Sequence, residues 1–282
     1  MSRPIITALY APADRPERFE KALRAGADAV VVDLEDAVAA SRKSVARAAL
    51  LEFARAWVAF GEGAPVVQVR VNALGSPFHD ADLAAIAALP VSFGVRLPKT
   101  GSADDVAAIR RALPARDIHA LLESALSIER AFEIASSGVR SIATGEADLR
   151  AELGVPAGPA GEAGLAWSRS RVVNAAAAAG LPAPMMAVYA DVADLDGLEA
   201  SCRAGRALGF GGRTAVHPRQ VPVIRRAFTP DAGEIAAARD VIERVRSAAA
   251  DGTGAFALED GTFVDAAMVH AARRVLERGG TE

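Results

Sequence analysis

Short apolar, β-branched runs recur eight times along this chain, each followed by a stretch of helical period. The runs lie at Ile5–Tyr10, Ala29–Leu34, Val66–Val71, Phe93–Leu97, Ile118–Leu122, Ser141–Thr144, Met185–Tyr189 and Thr214–Val216. Several are apolar almost throughout, as parallel strands covered on both faces must be. Helical patterns between them cover Pro16–Arg24, Lys43–Phe60, Ala81–Ala88, Ala103–Leu113, Ile128–Ser136, Ala163–Ala179 and Leu195–Leu208. Eight such units predict an α/β fold, a (β/α)8 TIM barrel, whose usual size is about 250 residues. A doubly wound open sheet would carry G-x-G-x-x-G after its first strand, and no such motif is there. Three further helical patterns, Pro218–Phe228, Ala232–Ala249 and Val264–Arg278, follow the eighth run. The expected organisation is a barrel over residues 1–228 and a C-terminal helical extension over residues 229–282.

Composition narrows the chemistry. A formal net charge of −3 gives no electrostatic reason to expect nucleic acid or an anionic membrane as partner. No apolar run approaches the ~18 residues that cross a bilayer, and the opening MSRPIITALYAP is too short in apolar residues for a secretory signal. The lone Cys202 excludes an internal disulfide framework and a multi-cysteine zinc site. A cytoplasmic, soluble protein is the expectation. Only Lys21, Lys43 and Lys99 could serve a mechanism that needs a lysine, and the four histidines form no zinc-helix pair.

In a barrel of this kind the active site forms at the carboxyl ends of the strands. Those ends carry Tyr10, Asp33-Leu34-Glu35-Asp36, Arg70 with Asn72, Pro98-Lys99, Glu123, Gly145-Glu146-Ala147-Asp148, Tyr189 with Asp191, and His217. Glu123 follows the apolar Ala120-Leu121-Leu122 directly, where an unpaired buried carboxylate is costly. Glu123 and Asp148 end consecutive strands and could share a magnesium ion, with Asp36 holding one of its waters. Equally, Glu123 could pair with Arg70 or Lys99 and brace the barrel mouth. Arg70 could grip a substrate carboxylate with its planar fork or pair with a neighbouring acid. Lys99, beyond Pro98, suits a loop ion pair better than the desolvated amine of Schiff-base catalysis. His217 reads as a cap on the eighth strand and Cys202 as a packed residue.

These segments together resemble the citrate lyase β-subunit-like group of the HpcH/HpaI aldolase superfamily. The resemblance rests on ALYAPADRPER (8–18), DAVVVDLEDAV (28–38), VRVN (69–72), LPK (97–99), ESA (123–125) and GEADL (145–149). It continues through GFGGR (209–213), His217-Pro218, Gly254-Ala255-Phe256 and Val264-Asp265, in order along nearly the whole chain. It implies a (β/α)8 barrel, a Mg²⁺ cofactor and carbon–carbon cleavage or formation beside a CoA thioester. Under it, Glu123 and Asp148 are metal ligands and Asp36 is a carboxylate on metal-bound water. Arg70 grips the carboxylate of the 2-oxo-acid half. Tyr10 and Lys21 lie near the CoA moiety, while Ala190 and Asp191 line the thioester. Asp265 is an acid/base aspartate entering from an adjacent subunit, which implies a homo-oligomer, a trimer or hexamer, with the extension packing on its neighbour.

The implied activity is cleavage of a 3-hydroxyacyl-CoA of the malyl-, methylmalyl-, citramalyl- or citryl-CoA kind to a 2-oxo acid and an acyl-CoA. The alternatives are a CoA-independent class II aldolase of 4-hydroxy-2-oxo acids and a carrier-dependent citrate lyase β subunit. The sequence departs from the family pattern at Ala13, Ser124 and Leu126, and at Arg96, a charge inside a strand that is usually apolar.

Overall fold

The computed structural model describes residues 4–57, 63–250, 256–257, 263–264 and 266–280. The first half of the barrel runs β1 (Thr7–Pro12), α1 (Pro16–Leu23), β2 (Ala29–Asp33), α2 (Lys43–Trp57), β3 (Val66–Arg70), α3 (His79–Ala87) and β4 (Gly94–Leu97). It continues through α4 (Ala103–Ala112), β5 (Ile118–Leu122), α5 (Ala125–Glu129), α6 (Ala131–Ala135), β6 (Ser141–Thr144) and α7 (Glu146–Leu153). Then come α8 (Glu162–Ala178), β7 (Met185–Met186), α9 (Leu195–Leu208) and β8 (Gly212–Ala215). The eight strands form a closed parallel barrel, sealed where Thr7–Leu9 of β1 pair with Arg213–Ala215 of β8. The predicted fold class is therefore the observed one.

Alternation along the strands sorts side chains between lumen and helical shell. Ala8, Ala29, Val31, Leu121, Ala143 and Met185 pack together as one buried cluster, with Ile5 and Tyr10 against it. The intervening positions, Val30, Val32, Val67, Val69, Val95 and Leu97, are buried too. Coverage on both faces explains why these strands read as continuous apolar runs. Phe19, Phe53, Trp57 and Phe93 form a ring cluster among α1, α2 and the entry to β4, with centroids 5.1–6.2 Å apart.

Besides shifts of a few residues at element ends and the division of the Ile128–Ser136 pattern into α5 and α6, the elements differ from the sequence expectation in three places. The seventh strand shrinks from Met185–Tyr189 to Met185–Met186, because the Ala187 N–H donates to the Thr144 side chain (3.1 Å). The segment after Gly145, for which the sequence pattern names no helix, forms α7 and closes on a left-handed Gly154. Val264 belongs to a short antiparallel pair of β9 (Phe256–Ala257) and β10 (Phe263–Val264), outside the helix expected there.

Contacts divide the chain into two compact units, residues 3–225 and 226–282. The boundary falls inside α10 (Gln220–Phe228). In the second unit α11 (Ala232–Ala250) and α12 (Ala266–Gly279) pack on each other. No helix among the described residues is long and apolar enough to cross a membrane.

Candidate active site

A cavity of about 720 Å³ opens at the carboxyl ends of the strands. Tyr10, Lys21, Asp36, Arg70, Glu123 and Asp148 all line it. Ala190 and Asp191 do not; both are exposed, and Asp191 Oδ1 instead accepts from the Ala193 and Asp194 N–H groups (2.9 and 3.2 Å). That places the pair in a self-capped turn before α9. Asp265 lies outside the described residues.

Glu123 is placed by local chemistry on both sides. Ser124 caps α5, its hydroxyl accepting from the Ser127 N–H (3.1 Å) while the Ser127 hydroxyl accepts from the Ser124 N–H (3.0 Å). The chain thus turns immediately after the glutamate. Opposite it stands Gly145, where a Cβ would lie 2.4 Å from Glu123 Oε2. Only glycine leaves room for the carboxylate in this position. Oε1 accepts from the Lys99 N–H at 2.7 Å.

Among the described residues no basic side chain lies within ion-pair distance of Glu123, because the two candidates are engaged elsewhere. Arg70 donates from Nε and Nη2 to both oxygens of Asp33 (2.7 and 2.6 Å) and from Nη1 to Asp36 (3.2 Å). The Lys99 ammonium lies 3.3 Å from Glu35. Burial therefore pushes the Glu123 carboxyl up to about 7, with Glu35 and Asp148 adding to the shift.

A second carboxylate, Glu35, is buried too but lies beside two basic side chains. Burial raises Glu35 to about 7, opposed by Arg70 and reinforced by Asp36. Its Oε2 sits 3.1 Å from Arg70 Nη1 but outside hydrogen-bond geometry, so it has no hydrogen bond. Arg70 is half-buried, yet its hydrogen bonds to Asp33 and the charges of Asp33 and Glu35 outweigh that burial and hold the guanidinium firmly protonated. Its plane rests on Tyr10, with Cζ 4.8 Å from the ring centroid.

Asp33 and Glu35 were visible in the sequence only as part of an acidic strand end. Asp33 also accepts from the Glu35 and Ala37 N–H groups (2.9 and 3.1 Å), which makes it the buried anchor of Arg70. The signal that could have found it is register, since Asp33 and Arg70 are direct partners across β2 and β3.

Among the described residues no three acidic, histidine or cysteine side chains converge as a preformed metal cage. Glu123 and Asp148 offer hard oxygens, one deeply buried and one exposed at the mouth in the first turn of α7. One or two carboxylates completed by waters and substrate oxygens is the donor set magnesium takes.

The sequence pattern of the HpcH/HpaI aldolase/citrate lyase family matches residues 7–218. The chain is 37% identical over 281 residues to a citrate lyase subunit beta-like protein of Mycobacterium tuberculosis, covering 96% of this chain and 94% of that protein. It is 34% identical over 281 residues to a (3S)-malyl-CoA thioesterase of Cereibacter sphaeroides, covering 98% and 95%. Among solved structures, CitE from Mycobacterium tuberculosis in complex with magnesium, acetoacetate and coenzyme A matches with a TM-score of 0.83. That match has 36% identity and covers 98% of each chain. Fold, strand-end residues and whole-chain similarity agree: the chain belongs to the HpcH/HpaI aldolase/citrate lyase family, as a lyase of its citrate lyase β-subunit-like group.

Proposed function

We propose that this protein is a Mg²⁺-dependent carbon–carbon lyase acting on a 3-hydroxyacyl-CoA of the malyl-, methylmalyl-, citramalyl- or citryl-CoA kind. Its products are a 2-oxo acid and an acyl-CoA. The observation that carries this reading is Glu123, buried beside the cavity it shares with Asp148 and lacking a basic partner among the described residues. A divalent cation compensates both carboxylates. The relative crystallised with magnesium, acetoacetate and coenzyme A supports the same choice.

Glu123 and Asp148 would hold the ion, and Asp36 its outer hydration. When bound, Mg²⁺ polarises the substrate's hydroxyl and carboxylate oxygens and stabilises the charge that develops as the carbon–carbon bond breaks. The chain supplies the rest. Arg70, locked in orientation by Asp33 and stacked on Tyr10, presents a fixed positive charge to the carboxylate of the oxo-acid half. Lys21, exposed at the rim, faces the CoA phosphates. Cleavage releases the substrate's hydroxyl proton as the C–O bond becomes the carbonyl of the oxo acid, and Asp265 is assigned the return of one proton to the enolate carbon of the acyl-CoA, so that the step balances. Residues 229–282 are assigned to contact with a neighbouring subunit in a homotrimer or hexamer of a cytoplasmic enzyme.

The test is a cleavage assay over malyl-, β-methylmalyl-, citramalyl- and citryl-CoA, with and without Mg²⁺, beside Glu123→Ala and Asp265→Asn. Mg²⁺-dependent release of a 2-oxo acid, lost in both variants, is the expected result. Free CoA among the products would add the hydrolytic step named for the Cereibacter relative. Silence across the panel from folded protein would reject the reading in favour of a CoA-free aldolase or a carrier-dependent subunit.

A further inference from the structure

Arg96 lies in β4 with its side chain in the barrel lumen, lining the cavity although only 3% of the residue is exposed. Its Nε donates to the neutral Gln68 side chain at 3.0 Å, and its Cζ lies 5.9 Å from the centroid of the Tyr10 ring. No carboxylate among the described residues comes within ion-pair distance of it, and no other side chain hydrogen-bonds its guanidinium. Across the ladder it pairs in register with Arg70 on one side and His119 on the other. The contrast with Arg70 is sharp: Asp33, Glu35 and Asp36 all lie within 3.2 Å of that neighbouring guanidinium. His119 offers no counter-charge, since its Nδ1 is engaged with Ser141 at 2.8 Å and burial, with the Arg96 charge, holds the ring neutral.

A buried cation with no anion is expensive unless a ligand supplies one. The cavity wall at Arg96 therefore suits a small anionic group that enters with the substrate. The phosphates of a CoA carrier are unsuited to that place, because the basic residues that can meet them in solvent, Arg18 and Lys21, line the cavity from exposed positions. The apolar part of the wall, Leu9, Leu121, Ala187, Val188 and Val216, suits methyl and methylene groups.

Building on the lyase reading above, we propose that Arg96 determines specificity by binding a second carboxylate on the 2-oxo-acid half. The preferred oxo acid is then a dicarboxylate of oxaloacetate type. A monocarboxylic oxo acid leaves the guanidinium uncompensated, and a site built around a polar group discriminates against the ligand that lacks its match.

The experiment is binding of three oxo acids to the Mg²⁺-loaded full chain by calorimetry: freshly prepared oxaloacetate, 2-oxobutyrate and pyruvate. 2-Oxobutyrate has the same chain length as oxaloacetate without the second charge. Oxaloacetate is expected to bind roughly tenfold tighter or better than 2-oxobutyrate, the scale of one charge-assisted hydrogen-bonded contact. Arg96→Met should bring the two together while leaving pyruvate binding unchanged, and Arg96→Lys should keep part of the preference.

Equal affinities in the wild type overturn the proposal without recourse to any variant. So does an Arg96→Met protein that loses pyruvate and oxaloacetate alike, since Arg96 would then serve the carboxylate common to both. Retained Mg²⁺-dependent pyruvate binding with no dicarboxylate preference overturns the role of Arg96 alone. Absence of binding for all three acids overturns the lyase reading and this inference with it.

Discussion

The backbone N–H of Lys99 donates to Glu123 Oε1 at 2.7 Å from a residue held at φ 49°, in the left-handed region. No other non-glycine residue among those described has a positive φ. The strained turn aims the amide of Lys99 at Glu123 while its ammonium reaches Glu35. One residue thus contacts both buried carboxylates, and strain of this kind persists where surrounding contacts over-determine it.

Comparing Lys99→Gly with Lys99→Ala isolates the backbone cost, since both remove the ammonium and only glycine relaxes the φ. The alanine variant should be the less stable by about 1 kcal/mol, the scale of the left-handed penalty for a residue with a Cβ. Chemical denaturation of the two variants side by side measures it. Equal stabilities would show that the turn is not strained.

Gly145→Ala should damage the site more than the fold. The added Cβ would lie 2.4 Å from Glu123 Oε2 and 2.6 Å from its Cβ. Either the glutamate or β6 must shift, at a cost of about 1–3 kcal/mol for overpacking. Mg²⁺ titration should show weakened binding in a protein that still unfolds cooperatively. Unchanged Mg²⁺ affinity would remove Glu123 from the metal site.

Asp33→Asn keeps the shape of the Arg70 anchor and removes its charge. Breaking a buried pair on one side costs about 3–5 kcal/mol, and asparagine, which keeps one acceptor oxygen, should fall toward the lower end. Turnover should drop more than the melting temperature implies, because Arg70 loses its fixed orientation. A variant with full turnover would show that Arg70 needs no anchor.

His119 gives the stability a specific pH dependence. Burial, with Arg96 adding to it, lowers this histidine from 6.5 to about 3. Below the unfolded value of about 6.5 the unfolded chain takes up a proton that the folded chain refuses, so the denatured state gains. The histidine's contribution is complete above 6.5 and is lost progressively as pH falls toward 3. His119→Asn, which retains a partner for Ser141, should flatten the fall in unfolding free energy between about pH 6.5 and 5 by up to ~1.4 kcal/mol per pH unit. Parallel slopes in the two proteins over that window would mean the ring titrates in the native state.

Most of the barrel is legible because strands covered on both faces are built mainly of apolar residues, and the runs at β2, β5 and β6 match their predicted starts. The seventh strand is shorter than its apolar run because its extent depends on Thr144 of the neighbouring strand, which local pattern does not contain. The helix α7 is hidden in the sequence pattern because its first turn, Glu146-Ala147-Asp148, carries the same polar residues that mark a strand end.

By itself the sequence determined the eightfold βα alternation and the acidic and basic residues that end the strands, since both are local properties of short segments. Which acid meets which base was decided by tertiary structure alone. Closure of β1 on β8 and the register of β2, β3 and β4 set Asp33 against Arg70 and Arg70 beside Arg96. That register left Glu123 without a basic partner among the described residues, and Arg96 without an acidic one. Coulomb energy depends on separations of a few ångströms between side chains far apart in the chain, and those separations exist only once the barrel has closed.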